Sequence, residues 1–290
     1  AAPGAEARAP PAPSSALDFP ALGISLAGIR AFVAAHGGLD ALRGRATSDV
    51  NALCLQPATA ASGLSYCAQR AAAGGDATVG AATVFISHAW KCEFVGVVEA
   101  LEAWSAKQAG DAAAAPTFFW LDVFSNPQHG TLERPFDWWT GCFLDNVARL
   151  GHTLLVLEWV APVPLSRAWC VWELACTVSS GARLEVIMSP RQEAAFHAAL
   201  VTDFESITTK TCSVDVERAE AFMAAGRAAI NLTVLDRSMG AARDLRRPQI
   251  PVIVFGREAH SLTSCLLTHA RTHARRTRLT RISPADMAAR

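Results

Sequence analysis

The 290-residue sequence predicts an α/β fold, a parallel sheet covered by helices, preceded by a short helical extension. Three observations carry this. From Thr83 onward, short apolar runs end in polar residues, as buried parallel strands do. Amphipathic segments of helical period separate those runs. Hydrophobic residues make up 51% of the chain and charged residues 18%, enough to bury a sizeable core and too apolar for global disorder.

Residues 1–22 begin with a Pro/Ala-rich stretch lacking periodicity and read as a disordered linker. Residues 23–80 read as a helical extension. Leu26, Ile29, Phe32 and Val33 share a helical face within 24–35, which Gly37-Gly38 closes. A second short helix is expected from Asp40 to Arg45, with short helices and loops over 46–80. Residues 81–258 form the α/β unit. TVFISHAW (83–90) is the first strand, and 93–108 places Phe94, Val97, Val98, Leu101 and Trp104 on one helical face. FFWLDVF (118–124) is the second strand, and 136–150 a helix aligning Trp139, Phe143, Val147 and Leu150. HTLLVLEWV (152–160), a helix over 166–180 and RLEVIMS (183–189) follow. Helices at 191–206 and 215–229 and a strand at 250–256 complete the pattern. Alternating strands and helices imply βαβ crossovers and a sheet covered on both faces.

Net charge is zero, which gives no chain-wide reason to bind nucleic acid or anionic lipid. From Arg243 onward ten Arg face three acids, a balance of +7, so residues 1–242 carry −7. The basic end, 259–290, lacks interleaved aromatics and any recognisable nucleic-acid module, and reads as a solvated, poorly ordered tail. No run of 18 apolar residues exists to span a membrane. Eight cysteines without a C-x-x-C pair or regular spacing predict reduced thiols in a cytoplasmic protein. Opening on Ala1 rather than Met, the chain reads as a possible piece of a longer one, whose start says little about a leader.

In a parallel α/β sheet, ligands bind beyond the carboxyl ends of the strands. That rule selects Ser87, His88, Trp90 and Lys91 after the first strand, Asp122, Ser125 and Asn126 after the second, and Glu158 and Trp159 after the third. The segment PLSRAWCVWELACTVSSG (164–181) adds Glu173, the one standing charge between Ala168 and Ala182. Ser166 is the expected N-cap and Gly181 the expected C-terminal stop. Glu173 shares a stripe with Trp169, Cys170, Cys176 and Thr177, so burial should raise its pKa. A structural ion pair with Arg134, Arg149 or Arg167 is the competing role. His88 likewise reads either as a ribose or proton contact or as a donor to a backbone carbonyl at the strand end. A metal site on His88 and Cys92 lacks a second ligand pair, and Cys170 reads more simply as a buried apolar residue than as a nucleophile. Helical spacing places Trp104 and Trp139 in the core, which turns Trp138 toward a possible contact surface.

F-I-S-H-A-W at 85–90, the Asp122 strand, the helix leading into HTLLVL and S-x-x-W-C-x-x-E-L at 166–174 together resemble a Toll/interleukin-receptor (TIR) domain over about residues 82–190. The closest likeness is to a divergent subgroup with S-H-A-W as its first box. The resemblance implies a flavodoxin-like three-layer sandwich that self-associates or binds other TIR-like domains. In catalytic members it implies cleavage of the nicotinamide–ribose bond of NAD, with NAD as substrate and no resident cofactor, and the catalytic glutamate falls on Glu173. Ser87, His88, Trp90, Asp122 and Trp169 are then the candidate nucleotide contacts. Where the family has an Arg and an acid after the first strand, this chain has Trp90, Lys91 and Cys92. Gly130 is the only match to the family's G-x-x-I element. Non-catalytic members act as assembly modules, the alternative function.

Overall fold

The computed structural model describes residues 21–74, 76–108, 116–129, 136–203 and 205, with the backbone alone for 136–142. The readings placed on 1–20, on 215–229, 250–256 and 259–290, and on Arg134 and the side chains of Trp138 and Trp139 lie outside these residues.

Strands β1 (Leu22–Ile24), β2 (Val79–Ala81), β3 (Val84–Ser87), β4 (Phe119–Trp120), β5 (His152–Val156) and β6 (Arg183–Ile187) form one mixed sheet in the order β2-β1-β4-β3-β5-β6. β4, β3, β5 and β6 are parallel, with Phe85 opposite both Trp120 and Thr153. β1 runs antiparallel to both β2 and β4.

Side chains alternate across the parallel strands and so build two cores. Val84, Ile86, Phe119, Leu121, Leu154 and Val156 pack against α1 (Leu26–Ala35) and α6 (Phe94–Gln108). Phe85 and Trp120 face the other way, onto α8 (Phe136–Leu150) and α9 (Ala168–Ser180) through Phe143, Val147, Val171 and Trp172. The Phe85 and Trp120 rings stack at 5.0 Å and 8°, and Phe143 meets both edge-on. α10 (Pro190–Thr202) follows β6, its first turn capped by Ser189 Oγ accepting from the Gln192 amide. No helix among the described residues is long and apolar enough to cross a membrane.

Several boundaries differ from the sequence reading, for local reasons. The extension 23–80 is not wholly helical. Besides α1, α2 (Gly38–Leu42), α3 (Thr47–Val50), the π-helical turn Asn51–Leu55, α4 (Gln56–Thr59) and α5 (Tyr66–Ala72), it supplies β1 and β2. Three-residue strands are too short to show alternation. Leu22, assigned by the sequence reading to a linker over 1–22, is the first residue of β1. The run 118–124 is strand only at Phe119–Trp120, and Asp122–Ser125 forms a helical turn, α7, whose amides bond back to Leu121. Ser166 does not cap α9. It closes the 3-10 turn Val163–Ser166, donating from Oγ to the Val163 carbonyl at 2.9 Å, and Arg167 holds the N-cap position. Gly181 does end α9, with φ 71°.

Candidate functional site

β3 ends in Ser87, which the strand's alternation turns toward α9. Ser87 Oγ donates to Glu173 Oε2 at 2.5 Å. Ser87 is 0% exposed and Glu173 8%, so this is an interior contact between strand end and helix. One turn further along α9, Thr177 Oγ1 bonds Thr153 of β5 at 2.9 Å and donates to the Glu173 carbonyl. A row of hydroxyls thus pins α9 to the sheet. Burial pushes the Glu173 carboxyl well above the usual range. The Ser87 hydrogen bond opposes that rise and the negative charge of Asp122 adds to it.

His88, the next residue, leaves the strand and is itself 5% exposed. Its carbonyl accepts the Cys170 thiol at 3.4 Å. Its Nδ1 lies 3.8 Å from Asp122 Oδ1, at the carboxyl end of the neighbouring strand β4. Nε2 is buried and has no hydrogen-bond partner among the described residues. Burial lowers the imidazole pKa and Asp122 partly offsets this, so the ring is neutral near pH 7.

Asp122 is held from two sides. Its Oδ2 accepts Trp90 Nε1 at 2.5 Å, and its Oδ1 accepts the Val123 amide at 2.7 Å. Trp90 is half-buried against the α1/α6 core, so its indole fixes Asp122 at the rim. The loop carrying it is braced from the N-terminal segment. The Ser48 amide bonds the Trp90 carbonyl, the Thr47 amide the Cys92 carbonyl, and the Phe94 amide the Arg45 carbonyl.

Ser87, His88, Trp90, Asp122 and Glu173 are therefore one connected cluster. Trp169 is tilted over Phe143 at 5.9 Å, packed against the core between the sheet and α8/α9. Trp159 is buried with its ring edge-on to Phe196. Arg149, one of the expected ion-pair partners of Glu173, bonds Asn146. The Cys170 thiol is buried and held far above its ordinary pKa by that burial and by Glu173, which leaves it protonated. Among the described residues no group of three or more His, Cys, Asp or Glu is placed to hold a metal ion, and Cys54, Cys67, Cys92, Cys170 and Cys176 are thiols outside any disulfide.

Glu158 was visible only as an acid at a strand end. Its Oε1 accepts the Glu93 amide at 3.1 Å beside α6. Burial raises its pKa and the Glu93 charge adds to the rise, while the hydrogen bonds from the Glu93 amide and the Cys92 thiol oppose it. The bracing by residues 45–48 had no sequence signal, because bonds between backbone groups leave no side-chain signature.

Two surface pockets lie along α6. One is lined by Trp104, Lys107, Glu185 and Phe196, the other by Arg43, Gly96, Glu158 and Arg191. Neither is lined by Glu173, Ser87 or His88, which are buried, so a ligand reaches these three only if the cluster opens. No family model, curated protein or solved structure matches the chain.

Proposed function

We propose that the chain is a TIR-like signalling domain that hydrolyses the nicotinamide–ribose bond of NAD, with Glu173 as its catalytic carboxylate. The observation that carries the reading is the buried Ser87–Glu173 pair, with Asp122 and His88 beside it at the ends of two adjacent parallel strands. Such a cluster is expensive for stability alone, because a carboxyl and an imidazole are withdrawn from water and the imidazole Nε2 has no partner among the described residues. Two further observations support it. The parallel strands run β4-β3-β5-β6, the order a flavodoxin-like sheet has for its first four strands, and the cluster sits beyond their carboxyl ends. The W-C-x-x-E-L element places Glu173 on the helical turn that faces β3.

The chemistry follows from charge. Nicotinamide leaves as a neutral base from a cationic ring, and the ribosyl carbon becomes oxocarbenium-like as the bond breaks. A carboxylate beside that carbon stabilises it, and water then completes the hydrolysis. Burial pushes Glu173 toward its protonated form. A cationic pyridinium entering beside it favours the carboxylate and lowers its pKa, so the ligand itself creates the charged form. Access requires the closed cluster to open.

The closed rim also favours a second reading, a non-catalytic assembly module in which Glu173 is structural. Nicotinamide release by the purified chain, with and without a crowding agent, tests the two. The catalytic reading expects release that vanishes in Glu173→Ala. A folded, self-associating wild type that leaves NAD intact selects the module.

A further inference from the structure

We infer that His88 Nε2 is a ligand-binding atom, accepting a hydrogen bond from a ribose hydroxyl of the bound nucleotide. The inference rests on the ribosyl reading above and adds to it the atom, its protonation form and the group it recognises.

The geometry defines what the ring can do. Its Nδ1 edge faces Asp122 Oδ1 at 3.8 Å, and that carboxylate is fixed by Trp90 Nε1 and the Val123 amide. A fixed negative charge favours the proton on Nδ1, which leaves Nε2 with a lone pair and no hydrogen. The His88 side chain is 1% exposed, and Nε2 meets no donor among the described residues. A buried polar atom without a partner is uncommon and calls for an explanation. Since Nε2 accepts only, the missing partner is a donor. The Cys170 thiol donates to the His88 carbonyl and so holds the backbone at this strand end. Ser87, the preceding residue, holds Glu173. A ligand that brings its ribosyl carbon to Glu173 therefore carries its sugar hydroxyls toward the same strand end. Burial keeps the imidazole neutral, as an acceptor must be.

ADP-ribose is the probe, since it keeps the sugar and has no nicotinamide to lose. Nitrogen-15 spectra of the wild-type imidazole should show the proton on Nδ1, and ADP-ribose should move the bare Nε2 signal toward the hydrogen-bonded position. His88→Leu should weaken ADP-ribose binding roughly tenfold. His88→Gln, which returns an acceptor near the same place, should recover part of it. The wild-type spectrum needs no variant to fold. ADP-ribose that binds without moving Nε2, or binds His88→Leu as tightly as wild type, overturns this inference and leaves the NAD reading standing. A folded wild type that binds neither NAD nor ADP-ribose overturns both.

Discussion

Ser87 Oγ and Glu173 Oε2 meet at 2.5 Å across the junction of β3 and α9, and almost no water reaches either. Of the influences on the Glu173 carboxyl, this hydrogen bond is the one that favours its charged form, against burial and the like charge of Asp122. The contact ties the ionisation of Glu173 to the register of α9 on the sheet.

Ser87→Ala removes that donor. Leaving the buried carboxyl with one fewer partner should cost about 1–3 kcal/mol, read from urea denaturation. The variant should also push the Glu173 pKa higher still. Because the carboxylate is the working form, kcat/KM for NAD should rise with pH in wild type, and in Ser87→Ala that rise should move to higher pH.

Glu173→Gln should abolish nicotinamide release yet stabilise the fold in a pH-dependent way. The folded pKa lies above the unfolded one, so the native state holds the proton more tightly. The resulting stability is full below the unfolded pKa and is lost as pH rises through the folded value. Glutamine stays neutral throughout. Melting curves should therefore nearly coincide at pH 4 and separate by pH 8, with the variant the higher by a few degrees. Equal gaps at both pH values would sink this.

Trp90→Phe keeps an aromatic ring against the α1/α6 core and deletes the indole N–H that holds Asp122. A double-mutant cycle with Asp122→Ala should return a coupling of about 1 kcal/mol, reduced from a fully buried pair by the partial exposure of both residues. Additive effects would mean that the contact contributes nothing to stability.

Gly23→Ala tests the antiparallel ribbon. A Cβ at position 23 would sit 2.8 Å from the Phe119 carbonyl oxygen and 3.0 Å from the Phe118 carbonyl carbon, both backbone atoms. The clash should cost about 1–3 kcal/mol and loosen β1 from β4. Hydrogen exchange should quicken at Gly23 and along Val79–Ala81 before it does at Phe85.

The parallel core was legible because its strands and helices differ in period over enough residues to show it. Phe85 and Ile86 sit on opposite faces, and Val97, Leu101 and Trp104 share one, as their spacing required. Glu173 stood out as a lone charge on an apolar helix, and its burial follows from that. The neighbourhood of His88 was not legible, since nothing in the spacing of Trp90 and Asp122 reveals that one indole N–H joins two loops 32 residues apart. Ser166 misled because a hydroxyl before a helix can equally close the preceding turn. β1 and β2 were missed because they are too short for a pattern and are defined by their partners.

Those two short strands give the molecule a finished side. Among the described residues, the sheet beyond β4 ends in a three-residue strand lying antiparallel to its neighbour, too brief to template a further chain. Any growth of copies by strand pairing on this side would find only a stub. If copies of this domain stack into larger bodies, the described residues offer them helical surfaces and the longer β6 edge instead.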